Sequence, residues 1–221
     1  MNSQSEEDYL KAVYHLEKEN LTVSTNSLAS YLNMKPSSVS DMLKKLAEKK
    51  YINYEKYKGT SLTKKGKSIA LKIIRKHRLW ESFLVDKLGF SWASVHSIAE
   101  QLEHIKSEEL IDKLDEFLDF PKYDPHGDPI PAKNGSIEKL NQKLLIDFVE
   151  NETGIIKGVK KATPSLLNYL DDLKINLGDI VKVEKIIDFD RSFIINIKNK
   201  KITVSEKICK NLLLEIYDGY N

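Results

Sequence analysis

The sequence predicts a mainly helical fold with a small β component, and three observations carry that prediction. The first third pairs two short amphipathic helices across a turn and follows them with two strands. The middle third holds long helical spacing with histidine and glutamate on one stripe, and the last third is a run of short strands between turn residues. At 221 residues, with 41% hydrophobic and 31% charged positions, the chain suits one to three small globular domains. It has no apolar run long enough to span a bilayer, and its start, Met-Asn-Ser-Gln-Ser-Glu-Glu-Asp, is polar and acidic. No membrane association or secretory leader is therefore expected, and the cytoplasm is the expected compartment. The single cysteine, Cys209, permits no internal disulfide and reads as a packing residue between Ile208 and Lys210.

The net charge of +2 conceals a division. Residues 1–75 carry 14 Lys and Arg against 8 Asp and Glu, whereas residues 76–145 carry 9 against 13. A basic N-terminal third is the electrostatic footprint of a nucleic-acid module, and an acidic middle suits cations.

The elements follow in order. Tyr9, Leu10, Val13, Tyr14 and Leu16 give a first helical stripe, with Ser5 as the expected N-cap and Asp8 completing a capping-box-like start. Ser27–Leu32 reads as a short helix, Asn33-Met34-Lys35 as a turn, and Pro36 as the first position of a helix running to Glu48. That helix buries Val39, Met42, Leu43 and Leu46. Its other faces offer Ser37, Ser38, Ser40, Asp41, Lys44 and Lys45, small hydroxyls for close approach to base edges and then lysines for phosphates. Residues 51–55 and 60–63 alternate like two strands, a wing whose tip presents Lys56, Tyr57 and Lys58 to a DNA backbone.

A long helix from Ser68 to about Leu88 follows, with Ile69, Ile73, Ile74, Trp80 and Leu84 at helical spacing. His77 and Glu81, one turn apart, interrupt its apolar face, and a buried carboxylate is costly unless paired or coordinating. Residues 94–104 read as one further helix, on which His96, Glu100, Glu103 and His104 fall within a third of the circumference. Imidazole and carboxylate without thiolate suit manganese, iron(II) or zinc. His126, in Asp124-Pro125-His126-Gly127-Asp128-Pro129, reads as a turn-ordering residue. Residues 136–149 read as a short helix or linker and residues 166–173 as a helix. Short strands are expected at 177–183, 193–197, 202–204 and 212–216.

The order winged helix, Arg75-Lys76-His77-Arg78-Leu79-Trp80-Glu81, Val95-His96, Glu100-x-x-Glu103-His104 and Pro125-His126-Gly127-Asp128-Pro129-Ile130-Pro131 resembles the DtxR/MntR metal-dependent repressors in their three-domain form. The resemblance implies an N-terminal winged helix-turn-helix DNA-binding domain at 1–73 and a helical metal-binding and dimerisation domain at 74–140. It implies a C-terminal SH3-like β-barrel domain at 150–221. Carried over by position, the primary metal site is Asp8, Glu100, Glu103 and His104, and the second is His77, Glu81 and His96. The iron-responsive branch has methionine and cysteine where Asp8 and Glu100 stand, so carboxylates at both resemble the manganese branch, with Fe²⁺ and Zn²⁺ as alternatives. Two departures matter. Lys11 stands where the two-domain manganese sensors have a glutamate, which argues for two separated sites over a close binuclear one. No acid occupies Val159-Lys160-Lys161-Ala162, the segment that in longer members lends a ligand to the second site.

The resemblance implies a homodimer on a double-stranded operator with two-fold half-sites, repressing metal-uptake genes, in which metal clamps the DNA-binding domain to the dimerisation domain. The rival readings are an iron(II)-dependent repressor of the same family, a metal-independent winged-helix regulator and a metal-dependent hydrolase. The hydrolase is disfavoured, because the chain shows no phosphate-cradling glycine loop and no nucleophile with an evident base.

Overall fold

Short-range signals start most of the helices. In the computed structural model, which describes residues 2–19, 23–55, 58–92, 94–138 and 142–217, helix α1 runs Gln4–Lys18 under a reciprocal capping box between Ser3 and Glu6. The cap is thus Ser3 rather than Ser5: Glu6 lies three residues on and returns its carboxylate to the Ser3 backbone N–H at 3.3 Å. Helix α2, Thr25–Leu32, starts under Ser24 and ends at Asn33 in the left-handed conformation (φ 51°), which turns the chain toward α3. Helix α3, Pro36–Glu48, opens on proline and buries Val39, Leu43 and Leu46.

Strands β1 (Ile52–Glu55) and β2 (Gly59–Leu62) pair antiparallel from Ile52↔Leu62 to Glu55↔Gly59, and the Thr60 amide donates to the Val23 carbonyl at 2.8 Å, tying the hairpin to the rest of the head. Tyr9, Leu10, Val13, Leu28, Leu43, Leu46 and Ile52 share one core with Ala70 of helix α4, Lys64–Asp86. Only a residue without a Cβ fits at Gly66, where a side chain would strike the Tyr51 carbonyl.

Helix α5 covers Val95–Leu102 and helix α6 Glu108–Phe117. The chain divides into two compact units: residues 1–77, 100–111 and 131–137 form the first, and residues 78–99, 112–130 and 138–221 the second.

The second unit contains a six-stranded antiparallel sheet. Its strands are β3 (Lys143–Leu144), β4 (Thr153–Val159), β5 (Ile180–Ile186), β6 (Phe193–Ile197), β7 (Lys200–Val204) and β8 (Leu212–Ile216), in the order β3-β8-β4-β5-β6-β7. This is the SH3-like part of the chain. Its core holds Leu145, Phe148, Ile156, Val181, Val183, Phe193, Ile195 and Leu214. Helix α7 (Pro164–Asp172) adds Leu167 and Leu170, and the one-turn helix α8 (Glu206–Cys209) adds Cys209. Burial lifts the Cys209 thiol to about 12, in keeping with a packing residue.

The stretch read from sequence as a helix or linker is different where it is described: β3 followed by a 3-10 turn at Leu145–Asp147 whose Leu145 is fully buried. Strand β5 starts at Ile180 rather than Leu177, because Gly178 (φ 82°) and Asp179 still belong to the preceding turn. Among the described residues no helix is long and apolar enough to cross a membrane.

Candidate metal centre and nucleic-acid interface

Three consecutive acids in the first turns of α1 point to three partners. Glu6, 1% exposed, takes Lys45 at 2.8 Å and Lys49 at 2.7 Å, both from α3. Burial alone would raise its pKa, but the two ammonium groups outweigh burial and hold it at about 2. Glu7 bonds the Nδ1 of His104 at 2.7 Å, and Asp8 lies 3.1 Å from Nε2 of the same ring. In the neutral ring with its proton on Nδ1, Nε2 presents a lone pair to the space shared by Asp8 and Glu103. That is how an outer carboxylate orients a metal-ligating imidazole.

Glu103 is 1% exposed. His77 Nδ1 meets its Oε2 at 2.6 Å, and Lys11 Nζ donates to both carboxylate oxygens, at 2.7 and 2.8 Å. Burial pushes this carboxyl up, yet the His77 hydrogen bond and the Lys11 charge prevail and keep it below the ordinary glutamate range. Asp8 moves the other way. Burial raises it, Glu103 and Glu100 add to the rise, and His104 and Lys11 only partly oppose them.

The helix expected over 94–104 stops at Leu102, so Glu103 and His104 lie in the turn beyond it. The Ile105 amide closes onto the Leu102 carbonyl at 3.1 Å, Lys76 Nζ caps the Ile105 carbonyl at 2.9 Å, and the Ser107 hydroxyl begins α6. Inward pairing of Glu103 and the reach of His104 to α1 thus win over continuation of the helix. Ligand atoms of Asp8, Glu103 and His104 lie within 4.8 Å of one another, and two hard oxygens with one imidazole nitrogen fit Mn²⁺, Fe²⁺ or Zn²⁺. Glu100 is not drawn into that group. Its half-exposed carboxylate lies 4.0 Å from Lys11 Nζ.

In the second unit, Glu81 is 2% exposed and meets His96 Nδ1 at 3.2 Å. Its other oxygen lies 3.6 Å from Nδ1 of His126, whose Nε2 is 3.0 Å from the Trp92 carbonyl. Burial disfavours a charged His126, but Glu81 and Asp124 overcome that and lift it to about 9. Asp124 accepts from the His126 and Asp128 amides and faces the Arg78 guanidinium at 3.4 Å. Glu81, Asp124 and His126 could also group around an ion. As it stands, Arg78 holds the cluster in an ion-pair network. His77, one turn before Glu81 on α4, also holds Glu103 through its Nδ1.

The N-termini of α2 and α3 and the wing enclose a groove of about 470 Å³ lined by Ser24, Thr25, Asn26, Pro36, Ser37, Ser40, Tyr54, Glu55, Lys58 and Gly59. Two helix starts aimed at one groove offer backbone N–H groups to phosphate. Ser37 and Ser38 are exposed and Ser40 half-buried. Lys44 pairs with Asp41 at 3.1 Å on the open surface, and Lys58 with Glu55 at 2.7 Å. Lys45, expected among the DNA contacts, directs its ammonium to Glu6. Lys56 and Tyr57 lie outside the described residues.

Sequence reasoning passed over Glu7 and His126 as site neighbours and saw Lys11 only as a departure. The signal for Lys11 was present: three residues after Asp8 places it on the same face of α1.

Three family models match the chain in succession: the iron dependent repressor N-terminal DNA-binding domain at 1–60, the iron dependent repressor metal-binding and dimerisation domain at 63–132, and the FeoA domain at 143–216. An uncharacterized HTH-type transcriptional regulator of Methanocaldococcus jannaschii is 44% identical over 118 residues, 53% of this chain and 94% of that protein. The iron-dependent repressor IdeR of Mycobacterium bovis is 34% identical over 126 residues, 57% of this chain and 55% of its own length. A solved manganese-dependent transcriptional repressor in complex with manganese superposes with a TM-score of 0.80 at 30% identity, over 96% of this chain and all of that one.

Proposed function

Since the chain belongs to the DtxR/MntR family of metal-dependent repressors, we propose that it is a homodimeric, Mn²⁺-responsive repressor that binds an operator of two-fold half-sites and controls metal-uptake genes. The observation that carries the manganese reading is the placement of Asp8, from the first helix, against Glu103 and His104, from the turn after α5, with no sulfur among the donors. A divalent ion bound there would supply the charge that lets these acids converge. Asp8 then fixes the start of α1, Glu7 holds the His104 ring, and Glu6 keeps α3 on the same helical turn.

Restricting α3 in both protomers near the spacing of successive major-groove half-sites raises DNA affinity, and linkage requires DNA to tighten metal binding by the same factor. Coupling of about 1 to 3 kcal/mol corresponds to roughly 5- to 150-fold. Glu100 completes the primary set in this reading, and His77, Glu81 and His96 form the second, with His126 orienting Glu81. The working division is 1–73 for DNA, 74–140 for metal and dimerisation and 150–221 for the SH3-like domain, and the chain's role is regulatory rather than enzymatic.

Replacing Glu103 with Gln keeps the volume and removes the charge. Binding to the duplexes that the Mn²⁺-loaded wild type selects from a random pool is expected to lose its Mn²⁺ stimulation, while circular dichroism and the dimer are retained. A variant that still responds normally to Mn²⁺ overturns the assignment. Titration with Mn²⁺, Fe²⁺ and Zn²⁺ from a metal-free, reduced start ranks the ions, and DNA binding indifferent to all three favours the metal-independent regulator.

A further inference from the structure

One cation already stands in the proposed primary site. Lys11 is only 13% exposed and its ammonium lies 2.7 and 2.8 Å from the two oxygens of Glu103, with Glu100 at 4.0 Å. Asp8, three residues before it on the same helix, also feels its charge, so the ammonium serves a cluster of three acids. Without a positive charge at that point, a carboxylate as buried as Glu103 would pay heavily for its ionisation.

We infer that Lys11 is a tethered counter-cation: in the metal-free protein it neutralises Glu103, and a divalent ion binds by exchange, displacing the ammonium from that carboxylate. This rests on the primary-site reading above and goes beyond it, because it makes a residue that is not a ligand set the metal threshold. Three properties of the side chain suit it to that role. It offers one charge where the ion offers two, so the ion wins at sufficient concentration. An ammonium on a four-carbon stem can swing without backbone movement. The cluster is open to solvent at half-exposed Glu100, 4.0 Å from the ammonium, so the displaced charge can be hydrated. The threshold is raised for every divalent ion alike, so Lys11 tunes sensitivity and leaves ligand chemistry to choose among metals.

The test is Mn²⁺ titration of the full-length protein, followed by the electron paramagnetic resonance signal of free Mn²⁺, on wild type, Lys11→Met, Lys11→Arg and Glu103→Gln. Removing a charge-assisted hydrogen bond that competes with the ion is expected to tighten Glu103-dependent binding by roughly tenfold or more in Lys11→Met. Lys11→Arg should stay near the wild type. The melting midpoint in chelator is expected to fall in Lys11→Met while the rise on adding Mn²⁺ becomes larger. If Glu103→Gln removes one class of Mn²⁺ site but Lys11→Met binds at that site equally or more weakly, the lysine is merely structural and the exchange is wrong. If Glu103→Gln leaves the titration unchanged, the site assignment falls, and the exchange with it. Should Lys11→Met not fold, Lys11→Gln, which keeps a hydrogen-bond donor without the charge, gives the same comparison.

Discussion

Glu6 lets the energetics of the DNA-binding unit be tested without metal or DNA. Replacing it with Gln keeps the side-chain volume and an oxygen for the capping box with Ser3, and removes only the charge held between Lys45 and Lys49. A hydrogen bond to a charged group contributes about 1.5 to 3 kcal/mol when desolvated. Glu6 itself is 1% exposed, but the lysines are 51% and 37% exposed, and solvent screening brings each pair toward about 1 kcal/mol. The sum, about 2 kcal/mol, corresponds to a fall of roughly 4 to 8 °C in the melting midpoint of a chain this size. The pH dependence follows from the same residue. With Glu6 held at about 2 in the folded state against 4.5 ordinarily, its stabilisation is complete above the higher value and lost as pH falls toward the lower. The gap between wild type and Glu6→Gln should therefore be constant from pH 7 to about 5 and narrow by roughly half by pH 3. Circular dichroism melts in chelator across that range measure it. A gap under 1 °C at neutral pH, or one of undiminished size at pH 3, would refute the argument.

Replacing Lys44 with Ala should weaken DNA binding across sequences and lower the slope of log affinity against log salt by about 0.9, the share of one phosphate contact. An unchanged slope removes Lys44 from the backbone contacts. Gly127 has φ 85°, and a Cβ there would collide with the Lys157 carbonyl. Gly127→Ala should therefore lower the melting midpoint and, by shifting the loop that carries His126, displace the His126 ring resonances in NMR spectra. A variant with wild-type melting shows that the loop gives way freely. Buried and lifted to about 12, Cys209 should resist thiol reagents in the folded protein and react only on unfolding, so rapid labelling under native conditions would contradict its packing.

What could be seen in the sequence was local. Pro36 at the start of α3, Asn33 after α2 and the β-branched, aromatic-led run Phe193–Ile197 act within a few residues, and those elements appear where expected. Strand β4 was missed because Gly154 and Gly158 dilute its pattern and a bulge between Ile156 and Gly158 breaks its alternation. Helix α6 was missed as well, its buried Ile111 and Leu114 being too few among acids to announce a stripe. The candidate ligands were legible as a family pattern rather than as helix geometry, since α5 ends before Glu103. The partners of those ligands are 15 to 97 residues away in sequence, and a pairing at that range, Glu7 with His104 above all, leaves no local trace.

The run Glu6-Glu7-Asp8 has a consequence for anyone wishing to retune this protein. Adjacent peptide units serve the helix that would read DNA and the cluster that would sense metal: Glu6 is committed to α3, while Glu7 and Asp8 are committed to His104. Helical geometry fixes their spacing at 1.5 Å of rise and 100° of turn, leaving no hinge to absorb a change. Grafting another ion preference onto positions 7 and 8 is therefore also an edit to the posture of α3. The two properties have to be engineered as one.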